Sequence, residues 1–225
     1  CLIFLSCTAA GVIKINCSNL MPMNPFSKLM LSDDELQLVT NTQWILTKRI
    51  IIDKVNDLLG EVAANQQQMI KNEKAWLPAA VVSSAPKIAK GENYLQLPYL
   101  LLDYPRCFDA DNIFAVRTMF WWGNFFSITL HVSGVYKEKF QQHIINNLDA
   151  AEEDFFICIH ENQWQHHFEA DNYTGVKKLS KNELQDIIIK KPFIKLAIQF
   201  PLQPWAAIPA LLDKAFLEII KLLKD

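Results

Sequence analysis

Five histidines and three arginines carry most of the side-chain chemistry that this sequence offers. His160-Glu161 is followed by His166-His167, with His131 and His143 upstream. An HExxH helix sets two imidazoles on one side of a zinc ion, with the glutamate as base. Here the second imidazole comes further on, and the segment reads as a hairpin rather than a helix. Positions 160 and 166 face each other across such a turn. His160, Glu161 and His166 or His167 therefore make a candidate metal site of two imidazoles and a carboxylate. With His131 they are the residues of a metal-assisted hydrolase. The competing reading is four surface or partly buried imidazoles with no shared ion.

A second candidate centres on Arg117. Its guanidinium is a fork of donors for carboxylate or phosphate, and His131 and Arg106 can join it. Trp121 and Phe125 supply faces on which a flat ligand stacks. The competing reading pairs Arg117 with a nearby acid such as Asp109. Ser127 and Thr129 lack any inferable activating triad. Asp109 and Asp111 are spaced like the first ligands of a calcium loop, but the glycine and distal glutamate of that loop are missing. A local Arg106–Asp pair or an Asx turn is the simpler expectation.

Several chemistries are excluded. The six glycines are scattered singly. Phosphate-cradling loops need closely spaced glycines so that backbone N–H groups approach the anion. The dinucleotide fingerprint, the Walker loop and the G-x-S-x-G elbow are all missing, so no nucleotide cofactor is expected and a metal is the one cofactor left open. The five cysteines form no CxxC pair, which excludes a paired-cysteine zinc site and fits a reducing, cytoplasmic compartment. Net charge of -2 gives no overall pull toward nucleic acid. The lysines of 177–195 have one aromatic neighbour, Phe193, and read as a solvated surface. No run of twenty apolar residues indicates a membrane span.

These residues must be positioned by an apolar, aromatic stretch, Asn112–Gly134, read as two strands, 113–121 and 125–132. A two-residue loop, Gly123-Asn124, sets Arg117 beside Met119, Ile128 and Leu130. A three-residue loop, 122–124, instead gives a face of Ala115, Arg117, Met119, Trp121, Phe125, Ser127, Thr129 and His131. The second register is preferred, because it keeps a guanidinium away from aliphatic neighbours. A one-residue slip exchanges the faces.

Around this hairpin the chain divides as follows. Residues 1–22 read as a non-core extension, either ahead of a true start at Met21 or Met23 or a truncated export signal. Residues 23–225 read as one domain, with a helical part (32–72) and a sheet-bearing part (94–225). Ser32-Asp33-Asp34-Glu35 and Ser180-Lys181-Asn182-Glu183 are capping boxes. Ile45, Ile52, Val55, Leu59 and Val62 mark the inner face of a long helix. Residues 75–93 read as a connection. A strand over 97–104 ends at Pro105. Helices are expected at 137–148, from 180 to about 190, and at 205–223, with a strand over 193–200. Trp164–Ala170 is expected to pair with Phe155–His160. Strand–strand–helix occurs twice, over 113–148 and 155–190. The fold class is α+β: an antiparallel or mixed sheet built from these two units, with helices on one face.

Three functions fit this reading. The first is a binding or accessory domain, taking a small anionic or flat ligand, or a protein partner, on an aromatic sheet face. The second is the metal-assisted hydrolase. The third is a structural homo-oligomer using the long helix as a seam.

Overall fold

The computed structural model describes residues 29–224. The extension read over 1–22 lies outside them. The chain divides into two units between Lys48 and Arg49.

In the first unit, helix α1 (Asp33–Thr40) opens on the expected capping box. Ser32 Oγ accepts from the Glu35 backbone, and the Glu35 carboxylate accepts from the Ser32 backbone. Asn41 interrupts the helix, and its Oδ1 caps Trp44. Helix α2 (Thr42–Asn72) then begins. Leu36, Leu38, Val39, Trp44, Ile45 and Leu46 are all exposed. The expected inward face of Ile45 is therefore corrected: burial along α2 begins at Val55. Helical spacing fixes which residues share a side, but not whether anything covers that side.

In the second unit the described residues form one seven-stranded sheet, ordered β1-β2-β3-β4-β7-β5-β6, with every pairing antiparallel. The strands are β1 (Lys87–Tyr94), β2 (Leu97–Phe108), β3 (Ile113–Trp121), β4 (Phe125–Ser133), β5 (Phe156–Cys158), β6 (Tyr173–Gly175) and β7 (Phe193–Pro201). The remaining helices are α3 (Ala79–Val82), α4 (Val135–Leu148), α5 (Lys181–Lys190) and α6 (Ile208–Leu222). The class is α+β, and the strand–strand–helix pattern occurs twice, as β3-β4-α4 and β5-β6-α5. One core joins the sheet face of Leu102, Phe114, Val116, Ile128, Leu130 and Ile198 to Leu59, Phe140, Ile188 and Phe216 of the helices. No described helix is long and apolar enough to cross a membrane.

Three details correct the sequence reading. Residues 75–93 hold α3 and most of β1 rather than a plain connection. β1 is an edge strand carrying Lys87, Lys90, Glu92 and Asn93, so it lacks apolar alternation. Its turn into β2 places Leu95 and Gln96 at φ 48 and 66, a left-handed pair built without glycine. Next, β2 does not stop at Pro105. Tyr104 and Pro105 together oppose Val116, between the pairs Asp103↔Arg117 and Arg106↔Ala115. This bulge returns Arg106 to the same face as Asp103. Finally, β5 pairs with Tyr173–Gly175, not with Trp164–Ala170. Residues 159–172 form no strand and run across the face opposite the helices.

Candidate functional site: a polar cluster on the sheet face opposite the helices

β3 and β4 adopt the three-residue loop register, with Trp121 opposite Phe125 and Ala115 opposite His131. Arg117 and His131 therefore share a face. Two neighbouring rows cross the sheet there. One runs Ala115–His131–Lys195, and the next Asp103–Arg117–Thr129–Ala197. Paired residues in an antiparallel ladder point to the same side, so the register alone assembles the cluster.

Arg117 is clamped by Asp103. Nε donates to Oδ1 at 2.7 Å and Nη2 to Oδ2 at 2.8 Å, a bidentate pair on a buried carboxylate. The expected partner Asp109 is engaged elsewhere: its Oδ1 accepts from the backbones of Asp111 and Asn112, an Asx turn rather than a calcium loop. The Arg117 Nη1 lies 3.1 Å from His166 Nε2. Arginine has no lone pair, so His166 accepts and carries its proton on Nδ1.

Lys195 is 1% exposed. Its Nζ donates to the main-chain carbonyls of Gln163 at 2.9 Å and Gln165 at 2.5 Å. It also stands 5.5 Å from the centre of the Tyr173 ring, and among the described residues it forms no salt bridge with a carboxylate. Burial pulls its pKa down to about 8, and the Arg117 charge acts in the same direction. His131 lies 2.9 Å from the Gln163 side-chain oxygen through Nε2. Burial, then the Lys195 charge, holds His131 neutral, down to about 3. The same two causes keep His166 well below its ordinary value.

Residues 159–172 cover this face, and their ties to it are largely polar. The Tyr94 hydroxyl accepts from the backbones of His166 and His167 at 2.6 and 2.9 Å. Trp164 sits edge-on to His131, and Phe168 stacks on Tyr173 with ring centres 4.7 Å apart. Beneath the cover lies a cavity of ≈ 10 Å³, lined by Ala115, Arg117, Thr129, His131, His166 and Lys195, with Phe108 and Trp164 closing it. Beside it, at the hairpin tip, an open cleft of ≈ 360 Å³ is lined by Trp121, Phe125, His167, Phe168 and Gln199 among others. The Trp121 Nε1 and His167 Nδ1 atoms are buried without a hydrogen-bond partner.

Of the sequence candidates, Arg117, His131 and His166 meet at one cavity. Arg106 lies on the same face, its guanidinium 5.7 Å from the Phe108 ring, and does not line the cavity. Trp121 and Phe125 border the neighbouring cleft. The proposed metal ligands are drawn apart. His160 Nδ1 accepts from Asn162, Glu161 pairs with Lys191 at 3.2 Å, His166 goes to Arg117, and His167 lies 3.9 Å from Asp171. Among the described residues no group of three or more His, Cys, Asp or Glu is placed to hold a metal ion. Lys195, read with the lysines of 177–195 as solvated surface, is corrected to a buried residue of β7, and Asp103 went unnoticed in the sequence. The signal was there, since each is a lone charge inside an apolar strand.

No protein-family model, no curated protein sequence and no solved structure matches this chain.

Proposed function

We propose that the protein binds a small anion on the sheet face beneath residues 159–172. Arg117, Lys195, His131 and His166 supply the site. One observation carries this reading: two cations, Arg117 and Lys195, border one cavity, and among the described residues Asp103 is the only carboxylate paired with either of them. An uncompensated buried charge is costly. Keeping Lys195 charged at neutral pH costs on the order of 3 kcal/mol, which a bound anion offsets. Trp121, Phe125 and His131 are no more than 6% exposed, which favours a small ligand over a protein laid on the sheet.

Thermal shift with a panel of inorganic and organic anions, at constant ionic strength, tests the reading. At least one anion should raise the melting temperature of the parent protein, and Lys195→Met should remove that rise. A flat response across the panel sinks it.

A second reading, self-association through the helical segment of the first unit, is favoured by a separate observation. Between Leu36 and Leu46, six large apolar side chains stand exposed. An acidic first turn, Asp33–Glu35, lies at one end and Lys48 at the other, so two copies run antiparallel bring opposite charges together. Light scattering at two protein concentrations tests it.

A further inference from the structure

We infer that the open cleft at the β3–β4 hairpin tip is a separate binding site, taking a small, free organic ammonium cation. Composition is the first argument. The cleft of ≈ 360 Å³ is walled by Trp121, Phe125 and Phe168, with the exposed Glu169 and Gln199 beside them. That volume falls within the range of small-molecule sites, about 300–1,000 Å³. The rings meet near right angles, Trp121 to Phe125 at 78° and Phe125 to Phe168 at 86°. Aromatic faces carry partial negative charge and attract cations, alkylated ammonium groups among them. Trp121 and Phe125 are only 6% and 5% exposed. A compact ammonium head suits such narrow ring surfaces better than a flat molecule laid across them.

Charge is the second argument. Among the described residues the Glu169 carboxylate has no hydrogen-bond or salt-bridge partner, and the lining holds no lysine or arginine. The other titratable group of the lining, His167, stands 3.9 Å from the Asp171 carboxylate, so a proton there is balanced. Arg117 precedes Trp121, and Lys195 precedes Gln199, by four positions along β3 and β7. Four strand residues span about 13 Å, beyond the screening length of about 8 Å in physiological salt. Arg117 is in any case paired with Asp103. The third argument is that the walls are already in place. Trp121 and Phe125 oppose each other at the end of the β3–β4 ladder. Across from them, the buried Asn172 side chain donates to the His167 carbonyl. The Glu169 carbonyl accepts from the Asn172 and Tyr173 backbones at 2.9 and 3.0 Å. A preformed wall lowers the ordering cost of binding.

The experiment titrates the whole chain calorimetrically with choline chloride, against sodium chloride at equal ionic strength. A parallel titration uses the uncharged isostere of choline, in which carbon replaces nitrogen. Choline should saturate with a dissociation constant below about 10 mM, and the isostere should bind at least about tenfold more weakly. Glu169→Gln should weaken choline about fivefold. Gln199 is exposed on β7, so charge enters there without disturbing the core. Gln199→Lys should abolish choline binding, and Gln199→Glu should tighten it. Equal affinity for the isostere, or the same effect from both Gln199 variants, would overturn the inference. So would a choline titration that never saturates. Protein that pellets with phosphatidylcholine vesicles, and ceases to after Gln199→Lys, would put the cation on a lipid and overturn the assignment of a free ligand. The anion panel probes other residues, so each site stands or falls alone.

Discussion

Burial makes His131 sensitive to acid. Its ordinary value is 6.5, and the fold lowers it to about 3. The folded value lies below the unfolded one, so between these limits the unfolded chain takes up a proton that the folded chain refuses. Stability from this group is complete above 6.5 and falls as pH drops toward 3. The loss is about 1.4 kcal/mol per pH unit for each such imidazole, and His166 adds in the same direction. Urea unfolding at pH 6, 5 and 4 should therefore show a steep decline, and His131→Leu should flatten it by about one proton. An unchanged slope in the variant would mean that His131 is not held neutral. Lys195 acts with the same sign in a higher window: its folded value also lies below its ordinary one, so its burial costs stability as pH falls from 10.5 to about 8. Anion binding needs the ammonium and should weaken as pH rises through that lower value.

At the scale of elements, the β4–α4 junction turns on one glycine. Gly134 starts α4 at φ 56 and ψ -135. A Cβ there would meet the Asn112 side chain and the Asp111 carbonyl. The same Asn112 oxygen accepts from the Val135 backbone at 2.9 Å, and Asp109 holds the loop through the Asn112 N–H. Gly134→Ala therefore meets both a disfavoured backbone conformation and a clash. It should lose on the order of 1–3 kcal/mol, read from the urea midpoint. A loss within about half a kcal/mol would show that the junction relaxes freely. Elsewhere the local signals were readable. Both capping boxes formed as their serine and glutamate spacing dictates, and the 122–124 loop set the face of Arg117. The β2 bulge and the Leu95-Gln96 turn were not readable. Neither uses the residue types that usually mark such geometry, and the partner strand decides both.

For the molecule as a whole, class and layering followed from alternation and helical spacing, while the cover did not. Residues 159–172 contain few apolar positions, and what holds them is a tyrosine hydroxyl and a buried ammonium on distant strands. Such partners are invisible to any local pattern. The same limit applied to the candidate metal ligands, whose sequence proximity was undone by three different side chains and one backbone N–H. Self-association is a property of the whole chain, and the prediction belongs here. At high concentration light scattering should give a mass above that of one chain, and Leu38→Glu with Ile45→Glu should return it to one. A single-chain mass at every concentration would overturn it.

The two rims of the sheet bear on how copies can meet. One rim, β1, presents Lys87, Lys90 and Glu92 to solvent, and the other, β6, offers only Tyr173–Gly175 as a rung. Charged or very short margins give a foreign strand little to template on. Crowded copies are thus steered away from fibre-like growth, and whatever assembly they form must be written in side chains, not in backbone.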